Sequence, residues 1–177
     1  MGKKKILLHC CCGPCSTSSL ERIREEYEPV LYFYNPNIEP FEEYEKRLSE
    51  IKKFAKLVDV ELIVGEYNNE KWFESVKEFS KEPEGGSRCK RCFEFNLTHV
   101  ARKAKELSIN FFTTTLTVSP YKNSNLIFEI GDSISDNKVS FIKENFKKKD
   151  GYKKSIELSK KYNLYRQNYC GCRFSMR

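Results

Sequence analysis

The first clue to the architecture is a stretch near the start of the chain, Lys5-Ile-Leu-Leu-His-Cys-Cys-Cys-Gly-Pro-Cys15. Its apolar part has the length and composition of a buried strand, and its polar part is typical of a loop. We expect Ser16, Thr17 or Ser18 to cap a helix that follows over residues 16–27. A buried strand, a loop and a helix in this order predict an alternating α/β fold.

The same alternation continues to the end of the chain. Apolar runs predict strands over residues 30–34, 60–64, 110–115 and 139–142, and amphipathic spacing predicts helices over residues 41–58, 70–80, 93–107, 124–134 and 152–162. The pattern is that of an open α/β sandwich with a parallel sheet, and 177 residues predict a single domain over 1–177. Functional loops then gather at the carboxyl ends of the strands. The hydroxyl-rich residues 113–120 follow one such strand and either line a site or cap the next helix.

Composition excludes a disordered chain. Hydrophobic residues make up 39% of the chain and aromatic residues 14%, which is enough for a core despite 32% charged residues. The longest apolar run near the N-terminus covers residues 6–8, which is too short for a signal peptide or a membrane span. We therefore expect a cytoplasmic protein without a membrane partner, whose cysteines serve metal or thiol chemistry.

The eight cysteines fall into three groups, whereas cysteines that only fill a core would be scattered. The groups are Cys10, Cys11, Cys12 and Cys15, then Cys89 and Cys92, then Cys170 and Cys172. A thiolate at Cys15 would be favoured by the N–H groups at the start of a helix. Together with the Cys89-x-x-Cys92 pair, the first group supplies at least four thiolates. That number suits either an iron–sulfur cluster or a four-cysteine zinc site.

The two halves of the chain differ in charge. Residues 1–88 carry 14 basic and 17 acidic side chains, whereas residues 89–177 carry 18 basic and 8 acidic ones. The segment 143–177 has 11 basic and 3 acidic residues, with aromatic residues between them. This mixture suits the phosphates and bases of loop RNA, although a solvated basic surface has the same pattern. The candidate phosphate contacts are Lys147, Lys148, Lys149, Lys153, Lys154 and Arg166.

Six motifs follow one another along nearly the whole chain. They are His9-x-Cys-Cys-Gly-Pro-Cys15, Tyr34-Asn-Pro-Asn-Ile38, Glu82-Pro-Glu-Gly-Gly-Ser-Arg-Cys-Lys-Arg-Cys92-Phe, Thr113-Thr-Thr-Leu-Thr-Val-Ser-Pro120, Lys147-Lys-Lys-Asp-Gly-Tyr-Lys-Lys-Ser155 and Leu164-Tyr-Arg-Gln-Asn-Tyr-Cys-Gly-Cys172. The series resembles that of the QueH family of epoxyqueuosine reductases. The resemblance implies a tRNA-modifying oxidoreductase on an adenine-nucleotide hydrolase-like (HUP) α/β sandwich. Its reaction would reduce epoxyqueuosine, in the wobble position of a tRNA anticodon, to queuosine with a [4Fe–4S] cluster. This is the last step of queuosine biosynthesis.

Seven of the eight cysteines match the motifs of that family, and Cys10 occupies a variable position. We expect the cluster to be held by two adjacent loop cysteines and a CxxC pair that converge from neighbouring strand ends, namely Cys11, Cys12, Cys89 and Cys92. Cys15 is the alternative ligand and otherwise a catalytic thiol. Removal of the epoxide oxygen takes two electrons and two protons, whereas a cluster usually passes electrons singly. Cys170 and Cys172 are therefore expected to be catalytic, either as a strained redox-active disulfide or as ligands of a second metal, iron.

A function of another class fits the same residues. In that alternative the chain is a zinc-stabilised RNA-binding module without catalysis, whose basic segment holds an anticodon loop. Four cysteines on a zinc ion would leave the other four unexplained, which favours redox chemistry. Iron–sulfur protein purified without oxygen is brown and zinc protein is colourless, so colour distinguishes the two. A reductase also needs an external electron donor, which the motifs do not specify.

Overall fold

The computed structural model describes residues 2–176. Its five strands are β1 (Lys4–His9), β2 (Tyr27–Phe33), β3 (Leu62–Val64), β4 (Phe111–Thr114) and β5 (Ser140–Phe141). They form one parallel sheet in the order β3-β2-β1-β4-β5. Strand β1 is central, and its residue Leu8 lies beside Leu31 of β2 and Thr113 of β4. The predicted architecture, an open α/β sandwich with a parallel sheet, is confirmed.

Helices cover both faces of the sheet. They are α1 (Gly13–Ile23), α2 (Phe41–Leu57), α3 (Asn69–Val76), α4 (Ser87–Glu106), α5 (Ser124–Ile134) and α6 (Gly151–Lys161). Successive residues of β1 face opposite sides, so Leu7 packs in one buried cluster with α4 and α5, whereas Ile6 and Leu8 pack in another with α1 and α2. Within residues 2–176, none of the helices combines the length and the apolar character needed to cross a membrane.

Helix α1 begins at Gly13, three residues before the predicted start. The Cys12 sulfur caps it by accepting a hydrogen bond from the N–H of Cys15, at 3.2 Å. Ser16 lies inside the helix, and its hydroxyl donates to the carbonyl of Cys12, at 2.6 Å. The prediction of a Ser or Thr cap was wrong because a cysteine took this role, although cysteine is not among the residues that usually cap helices.

Helix α4 also begins earlier than predicted, at Ser87 instead of residue 93. Cys89 and Cys92 therefore both lie in its first two turns. Because they are three residues apart, they lie on the same side of the helix. The other predicted elements match the observed ones to within three residues, except that the last turn predicted over 70–80 is a separate 3-10 turn, Lys77–Phe79.

Candidate active site

A cavity of about 260 Å³ lies at the carboxyl ends of β1 and β4, where a parallel α/β sheet places its functional loops. Three separate segments of the chain contribute cysteines to its wall. Cys11 and Cys15 come from the β1–α1 turn, Cys92 comes from α4, and Cys170 comes from the C-terminal segment. The structure thus brings the three predicted cysteine groups to one site. All eight cysteines lie within the described residues and are free thiols.

The first group forms a compact set of donors. The Sγ atoms of Cys11, Cys12 and Cys15 lie within 4.8 Å of one another, so this group could hold a metal ion. Burial alone would raise the pKa of the Cys12 thiol, but hydrogen bonds from the neighbouring thiols and from Gln167 outweigh burial and hold the pKa well below its usual value. The arrangement therefore favours a thiolate at Cys12.

The sulfurs of the CxxC pair lie near the C-terminal cysteines and also accept hydrogen bonds. The backbone N–H of Gly85 donates to Cys89 Sγ at 3.2 Å, and the indole N–H of Trp72 donates to Cys92 Sγ at 3.3 Å. Burial, together with the nearby charge of Cys170, raises the pKa of the Cys92 thiol. A buried thiol of this kind becomes a thiolate when a metal replaces its proton.

A buried arginine holds the C-terminal cysteine loop over the cavity. Arg47 of α2 is 2% exposed, and its guanidinium donates to the carbonyls of Tyr169, at 3.2 Å, and Cys170, at 2.8 Å. The backbone N–H of Glu39 donates to the carbonyl of Gly171, at 2.8 Å. Gly171 has a φ of +137°, and a Cβ there would lie 3.1 Å from the Arg47 guanidinium, so the loop fits glycine at this position.

Lys122 is a site residue that the sequence did not reveal. It lines the cavity, and the charges of Cys170, Cys11 and Cys15 raise its pKa although burial opposes this. Its ammonium therefore offsets the negative charge of the thiolates. Lys147, predicted to contact phosphate, donates from Nζ to the backbone carbonyl of Lys122, at 2.6 Å. This contact supports the loop that carries Lys122.

His9 and Cys10 belong to the framework of the site. Because the Tyr34 carbonyl can only accept, Nε2 of His9 donates to it, and Nδ1 accepts from the Thr114 hydroxyl, both at 2.9 Å. Burial lowers the pKa of His9, which favours the neutral ring. Cys10 is fully buried and donates to the carbonyl of Leu8, and burial raises the pKa of its thiol to about 12.

The predicted phosphate contacts fall into two environments. Arg166 lines the cavity, with its guanidinium 5.2 Å from the centre of the Tyr152 ring. Four of the predicted lysines are exposed, namely Lys148, Lys149, Lys153 and Lys154. Lys154 forms a surface ion pair with Glu21, at 2.6 Å.

Other polar residues of the site carried little signal in the sequence. Asn96 and Gln167 line the cavity. Asn96 lies in none of the six motifs, and Gln167 lies in the last of them, but an amide is common in helices and loops and did not by itself indicate a role. The hydroxyl-rich stretch 113–120 did point to Thr115, which lines the cavity and donates to Cys11 Sγ at 3.3 Å. The prediction that these hydroxyls line a site is therefore correct for Thr115.

The fold recurs in a solved structure, that of a predicted subunit of tRNA methyltransferase from Methanocaldococcus jannaschii. The two superpose with a TM-score of 0.60 over 89% of this chain and 74% of the other, at 16% sequence identity. Such an identity shows a shared fold and nothing more. Fold and cavity together define the class, a parallel-sheet α/β protein with a thiol-lined candidate active site.

The family of the chain follows from sequence. The family model for epoxyqueuosine reductase QueH matches residues 6–177. The epoxyqueuosine reductase QueH of Thermotoga maritima is 39% identical over 97% of this chain and 90% of its own length. The protein of the same name from Staphylococcus epidermidis is 40% identical over 98% of this chain and 76% of its own length. The one from Streptococcus pyogenes is 36% identical over 96% of this chain and 69% of its own length. The chain belongs to the QueH family of epoxyqueuosine reductases, which confirms the resemblance and the predicted enzyme class, an oxidoreductase.

Proposed function

We propose that this protein reduces epoxyqueuosine, in the wobble position of a tRNA anticodon, to queuosine. The observation that carries the proposal is that cysteines from three separate segments of the chain meet in one cavity. Membership in a family of reductases favours this enzyme over the zinc-stabilised binding module. The epoxide would lie in the cavity, where the thiols and Lys122 are within the same wall.

The proposed ligands of a [4Fe–4S] cluster are Cys11, Cys12, Cys89 and Cys92, with Cys15 as the alternative. The donor chemistry fits, because each of the four sulfurs accepts a hydrogen bond from a fixed N–H or O–H group of the chain, and such bonds stabilise thiolates. When bound, the cluster would supply electrons one at a time. Lys122 would offset part of the negative charge that the ligands bring.

Cys170 and Cys172 are proposed as a dithiol that works beside the cluster and supplies two electrons in one reaction. Conversion of the two thiols to a disulfide releases two electrons and two protons. Removal of the epoxide oxygen consumes the same number, forms the alkene and releases water. Electrons and protons therefore balance without another reactant. An external electron donor then reduces the disulfide. Ligation of a second iron by the same two sulfurs is the alternative role.

The segment 143–177 is proposed to bind the anticodon arm, as part of one domain over residues 1–177. Its exposed lysines can contact phosphates, whereas Arg166 lies in the cavity beside Tyr152, where an unpaired base can enter. Binding of RNA and chemistry would thus use adjoining parts of the same segment.

The test of the function is conversion by the anaerobically purified protein. We expect brown protein that contains iron and sulfide, and expect queuosine in nucleoside digests of epoxyqueuosine-containing tRNA after incubation with a chemical reductant. Colourless protein that contains zinc and leaves the tRNA unchanged would contradict the proposal.

A further inference from the structure

Three buried polar atoms at the cavity have no hydrogen-bond partner within the described residues 2–176. They are Asn96 Oδ1, Gln167 Oε1 and Arg166 Nη1. Asn96 is only 3% exposed. Buried polar groups are nearly always paired, because leaving one unpaired costs free energy. Three of them on one cavity wall indicate a ligand that supplies the missing partners.

The hydrogen bonds of the two amide side chains show which atom of each has no partner. The amide nitrogen of Asn96 donates to Asn37 Oδ1, at 3.0 Å, and lies 3.7 Å from Cys92 Sγ. The amide of Gln167 donates to Cys12. In both residues the amide nitrogen donates within the protein and the carbonyl oxygen has no partner, so that oxygen remains as a hydrogen-bond acceptor. The cavity therefore offers two acceptors, and Arg166 adds a donor.

Two acceptors and one donor complement the edge of one type of nucleobase. The Watson–Crick edge of a guanine-type base has two donor groups, N1–H and the 2-amino group, and one acceptor, O6. Uracil and cytosine each present one donor group and two acceptors there, which is the opposite balance. Adenine presents one donor group and no carbonyl oxygen. Tyr152, under the Arg166 guanidinium, adds an aromatic face for stacking.

We propose that Asn96 and Gln167 accept, and Arg166 donates, the hydrogen bonds that hold the guanine-type edge of the wobble nucleoside. The inference rests on the proposed function, because it takes the cavity to be the place where that nucleoside binds. A base in an anticodon loop is unpaired, so its Watson–Crick edge is free to be bound. The edge would anchor the base while its modified substituent extends towards the thiols.

The experiment compares the binding of two anticodon stem-loop RNAs that are identical except at the wobble position. One carries guanine, and the other carries hypoxanthine, which lacks only the 2-amino group. We expect the wild-type protein to bind the guanine RNA about tenfold more tightly, the usual effect of one specific hydrogen-bond contact to a base. Gln167→Met and Asn96→Leu each remove an acceptor. The variant that loses the partner of the 2-amino group should reduce this ratio to about one to threefold, whereas the variant that loses the partner of N1–H should weaken the binding of both RNAs.

Two further variants serve as comparisons. Gln167→Glu keeps an acceptor oxygen at the same place, so it should retain the preference for guanine even if overall affinity falls. Asn125→Ala removes an exposed amide of α5 that does not line the cavity, and should retain the preference in full. The readout is a ratio of two affinities of the same variant, so a general loss of folded protein does not change it.

Equal affinity of the wild-type protein for both RNAs would overturn the inference, as would a tenfold preference that persists in Gln167→Met and Asn96→Leu. Either result, obtained with protein that converts epoxyqueuosine to queuosine, would leave the proposed function intact. Failure of that conversion would instead overturn the function.

Discussion

Hydrogen-bond donors surround the proposed ligand sulfurs, and each donor comes from a different part of the chain. Thr115 follows β4, Gly85 precedes α4, and Trp72 belongs to α3. Hydrogen bonds of this kind position a ligand and stabilise its charged form. The proposed ligands thus differ from the other cysteines in the partners of their sulfurs. Cys10, one residue from a proposed ligand, donates to a backbone carbonyl and stays a buried thiol.

The difference between Cys92, a proposed ligand, and Cys10, a buried thiol, predicts different effects of replacing each. Replacing Cys92 by Ser should abolish the broad visible absorption of the anaerobic protein, because an alcohol replaces a proposed cluster thiolate. The matched control is Cys10→Ala, which changes a buried cysteine outside the cavity wall and should keep the spectrum. The measurement is absorption together with iron and sulfide content. Full iron and sulfide in Cys92→Ser would show that this residue is not a ligand.

At the scale of elements, helix α2 fixes the C-terminal loop through one buried side chain. Replacing Arg47 by Met would remove the ion-pair partner of Glu43 and leave the carbonyls of Tyr169 and Cys170 without their side-chain donor. We expect the free energy of unfolding to fall by about 3 kcal/mol in denaturant titrations, the usual cost of breaking a buried ion pair. Alkylation of Cys170 should become faster because its loop is released.

The control for this element is Lys52→Met, which removes an exposed cation from the same helix and should change neither quantity. If Arg47→Met unfolded at the wild-type denaturant concentration and its Cys170 reacted at the wild-type rate, the arginine would not hold the loop.

The elements also show what the sequence could predict. Helix α5 was predicted over 124–134 and has those limits, because its apolar spacing is regular and Asn123 is an ordinary cap. Helices α1 and α4 begin earlier than predicted, and the added residues include Cys15 in α1 and both Cys89 and Cys92 in α4. Cys12 caps α1 because the tertiary structure places it there, and the capping propensities of the amino acids do not predict this. The same is true of Lys122 and the two amides, whose residue types are common on any surface.

For the molecule as a whole, charge separates the basic C-terminal segment from the acidic first half. Replacing Lys148, Lys149 and Lys153 by Ala should weaken binding to every tRNA alike, because phosphate contacts carry no sequence information. The slope of log affinity against log salt should fall by roughly one unit for each lysine that binds a phosphate in the wild-type protein. Lys147 is left in place because it donates to the carbonyl of Lys122.

The control removes the same charge elsewhere, with Lys52, Lys56 and Lys81 replaced by Ala. It should alter affinity far less and keep the wild-type slope. Equal effects of the two triple variants would mean that only net charge matters and that the segment 143–177 is a solvated surface.

In the proposed reaction, the cavity performs a two-electron reduction in which Cys170 and Cys172 are the immediate dithiol. The most direct measurement is a single turnover of reduced protein with epoxyqueuosine-containing tRNA, without free reductant, followed by nucleoside analysis and thiol labelling. We expect queuosine to form as the two thiols become protected from alkylation. The double variant Cys170→Ser/Cys172→Ser should form none while it still binds tRNA and keeps the visible spectrum. Queuosine formation at the wild-type rate by the double variant would contradict the proposed reaction.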